Sequence, residues 1–120
     1  MDELIEILTT RVGIDRAVAD KTIGIILGFL RNEGPTDDVN ALIASIPGAD
    51  TAVSANEGSG FGGLMGGGLM ALGGKLMALG LGMGEIQSVA KELFKFGRTK
   101  IGNERMDAIV AGTPGLSQFA

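Results

Sequence analysis

Apolar residues recur along the first half of this chain at the three- and four-residue spacing of an α-helix. They form three stripes: Leu4, Ile7, Leu8 and Val12; Ala19, Ile23, Ile26, Leu27 and Leu30; and Val39, Leu42, Ile43 and Ile46. Polar and charged residues such as Glu6 and Lys21 lie between the apolar ones. The pattern predicts three amphipathic helices, each with one face in a core.

Residues that end or begin helices separate these stripes. The predicted boundaries are, in chain order, Gly13, Asp15, Gly34-Pro35, Thr36 and Pro47-Gly48. Glycine suits the left-handed residue that follows a helix, proline cannot continue one, and Asp or Thr can cap the next helix at its start. Beyond them, Asp50 is placed to cap a short helical turn that runs through Asn56.

Three further stripes predict three helices in the second half. They are Leu69, Leu72, Leu76 and Leu79; Ile86, Val89, Leu93, Phe94 and Phe96; and Met106, Ile109 and Val110. Gly80-Leu81-Gly82 separates the first two of these helices, and Asn103 is placed to cap the last. Twelve of the 27 residues from position 58 to position 84 are glycine. The first part of this stretch has a composition typical of a flexible linker.

The two halves repeat one pattern. VNALIASIPGA at 39–49 reappears as MDAIVAGTPGL at 106–116, which is 67 positions later. Ile26-Leu27-x-Phe29 reappears at the same offset as Leu93-Phe94-x-Phe96, and Gly13 matches Gly82 at an offset of 69. Order preserved over this length is typical of one structural unit used twice.

We therefore predict an all-α fold, a helical bundle built from two repeated three-helix units joined by a glycine-rich linker. Residues 1–56 form unit one, residues 57–68 the linker and residues 69–120 unit two. Units of this size are too small to be comfortably stable alone, so we expect them to share one core as a single domain.

Composition excludes several kinds of chemistry. The chain has no Cys and no His, so it cannot supply a thiol nucleophile, an imidazole base, a disulfide or the usual zinc ligands. Its formal net charge of −4 argues against general nucleic-acid binding. We predict a protein that is not an enzyme, with no catalytic, cofactor-binding or metal-binding residues and no nucleic-acid partner.

Two glycine motifs resemble phosphate-binding loops but lack the required context. Gly58–Gly63 matches G-x-G-x-x-G, yet no convincing strand precedes it and no βαβ unit follows. The stretch from Gly68 to Lys75 is one residue longer than a P-loop, and Leu76 stands where Ser or Thr would hold Mg²⁺. Neither motif supports a nucleotide site.

Charge is distributed unevenly between the halves. Residues 1–57 carry a net charge of −6, whereas residues 58–120 carry +2. Within the second half, Lys91, Lys95 and Arg98 share one face of a predicted helix. Together with the apolar stripe, they make our candidate contact surface: Leu69, Leu72, Leu76, Leu79, Lys91, Lys95 and Arg98. Such a basic stripe suits an acidic partner, an anionic lipid surface or the acidic first half.

The segment from Phe61 to Met83 is apolar enough to raise the question of a membrane. Its six leucines and one Phe contribute roughly −3 kcal/mol to insertion, which a central lysine, Lys75, offsets by about the same amount. Nine glycines weaken a helix there. We expect linker plus core helix rather than a span, with membrane-surface association as the alternative. The acidic start is not that of a secretory signal, so we expect a cytoplasmic location in a bacterium-like cell.

The sequence Ala44-x-Ile46-Pro47-Gly48-Ala49-Asp50, followed by a glycine- and leucine-rich middle and Leu79-Gly80-Leu81, resembles a small bacterial helical family of unknown function, the VcgC/VcgE-like proteins. The resemblance would cover most of residues 8–116. It rests on residues that end helices, and it implies no catalytic residues.

These observations favour a non-enzymatic helical interaction or assembly protein that acts through helix-face packing and associates with itself as a homo-oligomer. We expect an apolar groove between the two units, lined by Leu and Met, to accept a partner helix or an identical subunit. Two alternatives remain: a peripheral membrane protein that uses residues 61–83 and the basic stripe, and a carrier of a small apolar ligand.

Overall fold

The computed structural model describes residues 2–57 and 68–113, and over these ranges the chain is entirely helical. Seven helices follow one another: α1 (Asp2–Arg11), α2 (Arg16–Glu33), α3 (Thr36–Ser45), α4 (Ala49–Glu57), α5 (Gly68–Ala78), α6 (Met83–Ile101) and α7 (Asn103–Gly112). The predicted all-α class is therefore confirmed. The structure describes only the two ends of the predicted linker, because α4 ends at Glu57 and α5 begins at Gly68. Residues 58–67, which include the motif Gly58–Gly63, lie outside the described residues.

Glycines in the left-handed conformation end α1 and α5. Gly13 has φ of +86° and its N–H donates to the Leu8 carbonyl at 3.1 Å, as the sequence predicted for this helix end. Gly80 has φ of +93° and plays the same role after α5. The expectation that Gly82 is the counterpart of Gly13 is wrong, because Gly82 is extended and is the residue that precedes α6.

Four other predicted helix boundaries differ in detail. Thr36 and Asn103 are the first residues of their helices, and the N-cap positions are held by Pro35 and Gly102, which have no side-chain acceptor to offer. Asp15 does hold the N-cap of α2, but its side chain makes no capping hydrogen bond. Gly34 follows α2 in an extended rather than a left-handed conformation.

The fourth helix is larger than the single turn expected between Asp50 and Asn56. It spans nine residues and makes the most extensive interhelical contact of the described chain, against α2. Gly28 faces α4 at this contact, and a Cβ atom there would lie 3.8 Å from Cγ1 of Val53, an ordinary van der Waals distance.

Side chains from all seven helices enter one hydrophobic core. The central helix is α2, which packs against α1, α3, α4 and α5, while α6 packs against α1, α3, α5 and α7. Leu42 of α3, Gly97 of α6 and Met106 of α7 meet where the two halves join: a Cβ atom on Gly97 would lie 2.8 Å from Met106 Sδ and 3.1 Å from Leu42 Cδ1. The halves share one core there instead of packing separately.

We expect Thr22→Val to raise the free energy of unfolding by about 1 kcal/mol. Thr22 is completely buried, and within the described residues its hydroxyl has no hydrogen-bond partner. Valine keeps the shape and removes the unsatisfied polar atom. Urea unfolding followed by circular dichroism measures the change, and Thr10→Val, at an exposed position of α1, is the matched control with little expected effect. A loss of stability in Thr22→Val would contradict the prediction.

Candidate interaction surfaces

The apolar part of the predicted contact surface lies in the core. Leu72 is 8% exposed and Leu76 is fully buried, and Leu79 is half-buried against the same core. Leu69 belongs to α5, but its side chain lies outside the described residues. The leucine stripe therefore faces the rest of this chain, because it is the side by which α5 packs on α2 and α6, and it leaves little apolar area for a partner.

The basic part divides into two. Lys91 and Lys95 are exposed, and neither makes an ion pair within the described residues. Arg98 instead binds Asp107 of α7, with 2.7 Å between Nη2 and Oδ1, so its charge is already compensated. The sequence could not reveal this pairing, because Asp107 belongs to the next helix.

Lys91 and Lys95 continue a row of exposed residues that also contains Met83 and Gln87, each four positions after the last. We call these four residues the cationic ridge. Residues four apart are neighbours on a helix surface, so the ridge runs along α6 for roughly 18 Å. It carries two positive charges, no acid, and an apolar residue at its N-terminal end.

The two acidic residues of α6, Glu85 and Glu92, each make a polar contact with a residue outside the ridge. Glu85 Oε1 accepts the Gly82 N–H at 3.0 Å, which caps the helix start. Glu92 Oε1 lies 3.6 Å from Nη1 of Arg11 on α1. Both carboxylates therefore make contacts with other parts of their own chain, and neither forms an ion pair with Lys91 or Lys95 within the described residues.

Two methionines stand out at the turn between α5 and α6. Met77 is 51% exposed and Met83 is 53% exposed, and they are the large apolar side chains most open to solvent among those described. Gly80, Gly82 and Gly84 lie in the same stretch of the chain, and a Cβ atom at Gly80 or Gly84 would meet nothing within 4 Å. An exposed apolar pair beside a basic row marks a candidate contact site.

A shallow groove of about 450 Å³, largely open to solvent, lies on the surface between α3 and the junction of α6 with α7. We call it the interhelical groove, and its lining residues are Ala41, Ala44, Ser45, Lys100, Ile101 and Arg105. It differs from the predicted groove lined by Leu and Met, because its walls are small side chains, one Ile and two bases. Leu42 and Met106 are fully buried where the halves join.

Lys100 is held at one edge of the interhelical groove. Its ammonium nitrogen lies 5.2 Å from the centroid of the Phe96 ring, within the range of a cation–π contact. On the opposite wall, the Ser45 hydroxyl donates to the Leu42 carbonyl at 2.7 Å, so this polar group is satisfied within α3. Sequence reasoning missed Lys100 and Arg105. The only signal was the small-residue pair Ala41 and Ala44, which lies in the other half of the chain.

The described residues form no candidate metal-binding cluster. Over 2–57 and 68–113, no three carboxylates gather as a cation site would require. The stretch resembling a P-loop forms helix α5. Within the same ranges, no helix combines the length and apolar character needed to cross a bilayer.

Comparison with known proteins adds no relative. No protein-family model matches the chain, and neither the curated proteins nor the solved structures contain a significant match. The resemblance to the VcgC/VcgE-like family stays a prediction. Function must be argued from the surfaces themselves.

Proposed function

We propose that this chain is a non-enzymatic helical assembly protein whose interhelical groove receives an acidic helix of a second copy. The observation that carries the proposal is the groove itself, which has small side chains on its walls and two basic residues, Lys100 and Arg105, on one side. This combination suits recognition of a helix in a groove.

The shape of the groove favours a helical occupant. Ala41 and Ala44 are three residues apart on α3, so they lie on one face of it and let another backbone come close. Interhelical distances of 8–10 Å depend on the side chains at the contact, and small ones allow the shorter spacing. Ile101 supplies an apolar contact between the two walls.

Charge favours a second copy as the source of that helix. The first half carries −6, and α1 presents Asp2, Glu3 and Glu6, which are all exposed and have no ion pair within the described residues. Acids one helical turn apart, as Asp2 and Glu6 are, match two bases at the edge of a groove. Because groove and α1 are different surfaces, the contact is head-to-tail and builds rings or open chains.

We also propose that α1–α3 and α5–α7 are two copies of one three-helix unit, separated by α4 and residues 58–67. A constant offset of 67 supports this: α3 and α7 begin and end at matching positions, as do the starts of α2 and α6, and Gly80 is the counterpart of Gly13. The counterparts of Ala41 and Ala44 are Ala108 and Ala111, which are exposed on α7 and line no part of the interhelical groove. The duplicated unit therefore supplies a matched control surface.

We expect Ala44→Trp to abolish self-association by filling the interhelical groove. Lys100→Glu combined with Arg105→Glu should weaken it at least tenfold, because both attractive charges become repulsive. Light scattering coupled to size-exclusion chromatography, over a range of concentrations and salt, measures the oligomeric state.

Ala111→Trp, at the equivalent exposed position of α7, controls for the added indole, and Arg16→Glu combined with Lys21→Glu on α2 controls for the change in net charge. Both controls should assemble as the unchanged chain does. A chain that stays monomeric at high concentration would overturn the proposed function, and oligomers indifferent to Ala44→Trp would move the contact elsewhere.

A further inference from the structure

We propose that the corner between α5 and α6 binds an anionic lipid surface, with Met77 and Met83 entering the interface and the cationic ridge lying along the headgroups. This site is separate from the interhelical groove and stands whether or not the chain assembles. The contact is peripheral, with the helices lying on the membrane.

The apolar part of the contact is already exposed. Met77 and Met83 each leave about half of their surface in water at one turn of the chain. A Cβ atom at Gly80 or Gly84 would meet nothing within 4 Å, so the turn is open around both methionines. Unbranched, flexible methionines bury readily in an irregular apolar medium.

The charges beside them have the sign and arrangement that anionic headgroups need. Lys91 and Lys95 extend from Met83 along one side of α6, and the neighbouring acids Glu85 and Glu92 are bound by Gly82 and Arg11 respectively. Each basic residue near an anionic surface adds to the attraction, and the attraction falls within a Debye length. Lipid contact uses the half of the chain that carries +2 and does not require the acidic half to touch the surface.

A lipid surface suits this corner better than an acidic protein does, because a fluid interface can bury separate exposed side chains without pockets of matching shape, whereas a protein partner would need such pockets for Met77 and Met83. The interhelical groove lies between other elements, α3 and the α6–α7 junction.

Co-sedimentation of the full chain with vesicles tests this inference. We expect binding to vesicles of phosphatidylcholine mixed with phosphatidylglycerol, and at least tenfold weaker binding to phosphatidylcholine alone. Lys91→Glu combined with Lys95→Glu should reduce binding to the mixed vesicles at least tenfold, and Met77→Ser combined with Met83→Ser should do the same. Circular dichroism of each variant checks that the fold is kept.

Arg16→Glu combined with Lys21→Glu is the matched control, because it changes the net charge equally on exposed positions of another helix. It should bind vesicles within about twofold of the unchanged chain. Ala44→Trp should also bind normally, which separates this inference from the proposed assembly. No binding to either vesicle would overturn the inference. Loss of self-association in the Lys91 and Lys95 variant, without vesicle binding, would instead assign the ridge to a protein partner.

Discussion

Leu42→Ala lowers the free energy of unfolding by about 2–5 kcal/mol, the range for a leucine truncated in a closed core. Leu42 is fully buried on α3 and packs beside Gly97 of α6, where the halves of the chain join. Removing its side chain loses transfer free energy and leaves a cavity between elements from both halves. Urea unfolding followed at equilibrium by circular dichroism measures the loss.

Asn40→Ala is the control for Leu42→Ala, because Asn40 is exposed on the same helix and its truncation should change stability by less than about 0.5 kcal/mol. If Leu42→Ala lowers the free energy of unfolding by less than about 1 kcal/mol, α3 contributes little to the packing between the two halves. Two separate unfolding transitions in the unchanged chain would contradict a shared core in the same way.

Gly97→Val destabilises the protein by about 1–3 kcal/mol through overpacking. A Cβ atom at this position would lie 2.8 Å from Met106 Sδ and 3.1 Å from Leu42 Cδ1. The methionine is flexible and can move in part, but valine adds three carbon atoms, a Cβ and two methyl groups, at a position where a Cβ alone would already lie too close to its neighbours. Thermal and urea unfolding both report the loss.

The control is Gly74→Val in α5, where a Cβ atom would meet nothing within 4 Å. Valine forms helix slightly better than glycine, so this change should be neutral or stabilising by a few tenths of a kcal/mol, roughly. Combining Gly97→Val with Leu42→Ala should destabilise less than the sum of the two, because the added methyl groups occupy the space that leucine leaves. Strict additivity would contradict the contact between these two residues.

Local sequence determined the helices well, because helix ends depend on near neighbours. Gly13 ends α1 in a left-handed turn as predicted, and the amphipathic stripes of α2 and α6 became buried faces. The prediction of a helix end was less reliable where several neighbouring residues could each end the helix. Among the three residues 80–82, the left-handed end was Gly80 rather than Gly82, because both glycines can adopt that conformation and only the packing of the flanking helices selects one.

Only the tertiary structure decided which faces remain open to a partner. An apolar stripe has the same sequence pattern whether it packs on its own chain or on a partner. The sequence therefore assigned the leucines of α5 to a contact surface, although Leu72 and Leu76 lie in the core. Charges behave likewise: Lys91 and Arg98 share a stripe, yet Arg98 is paired with Asp107 of α7. The sequence by itself determined an all-α fold without histidine or cysteine chemistry. Tertiary packing determined the groove, which lies between α3 and the α6–α7 junction, and it determined which side of α6 stays exposed as the ridge, because burial depends on helices that are distant along the chain.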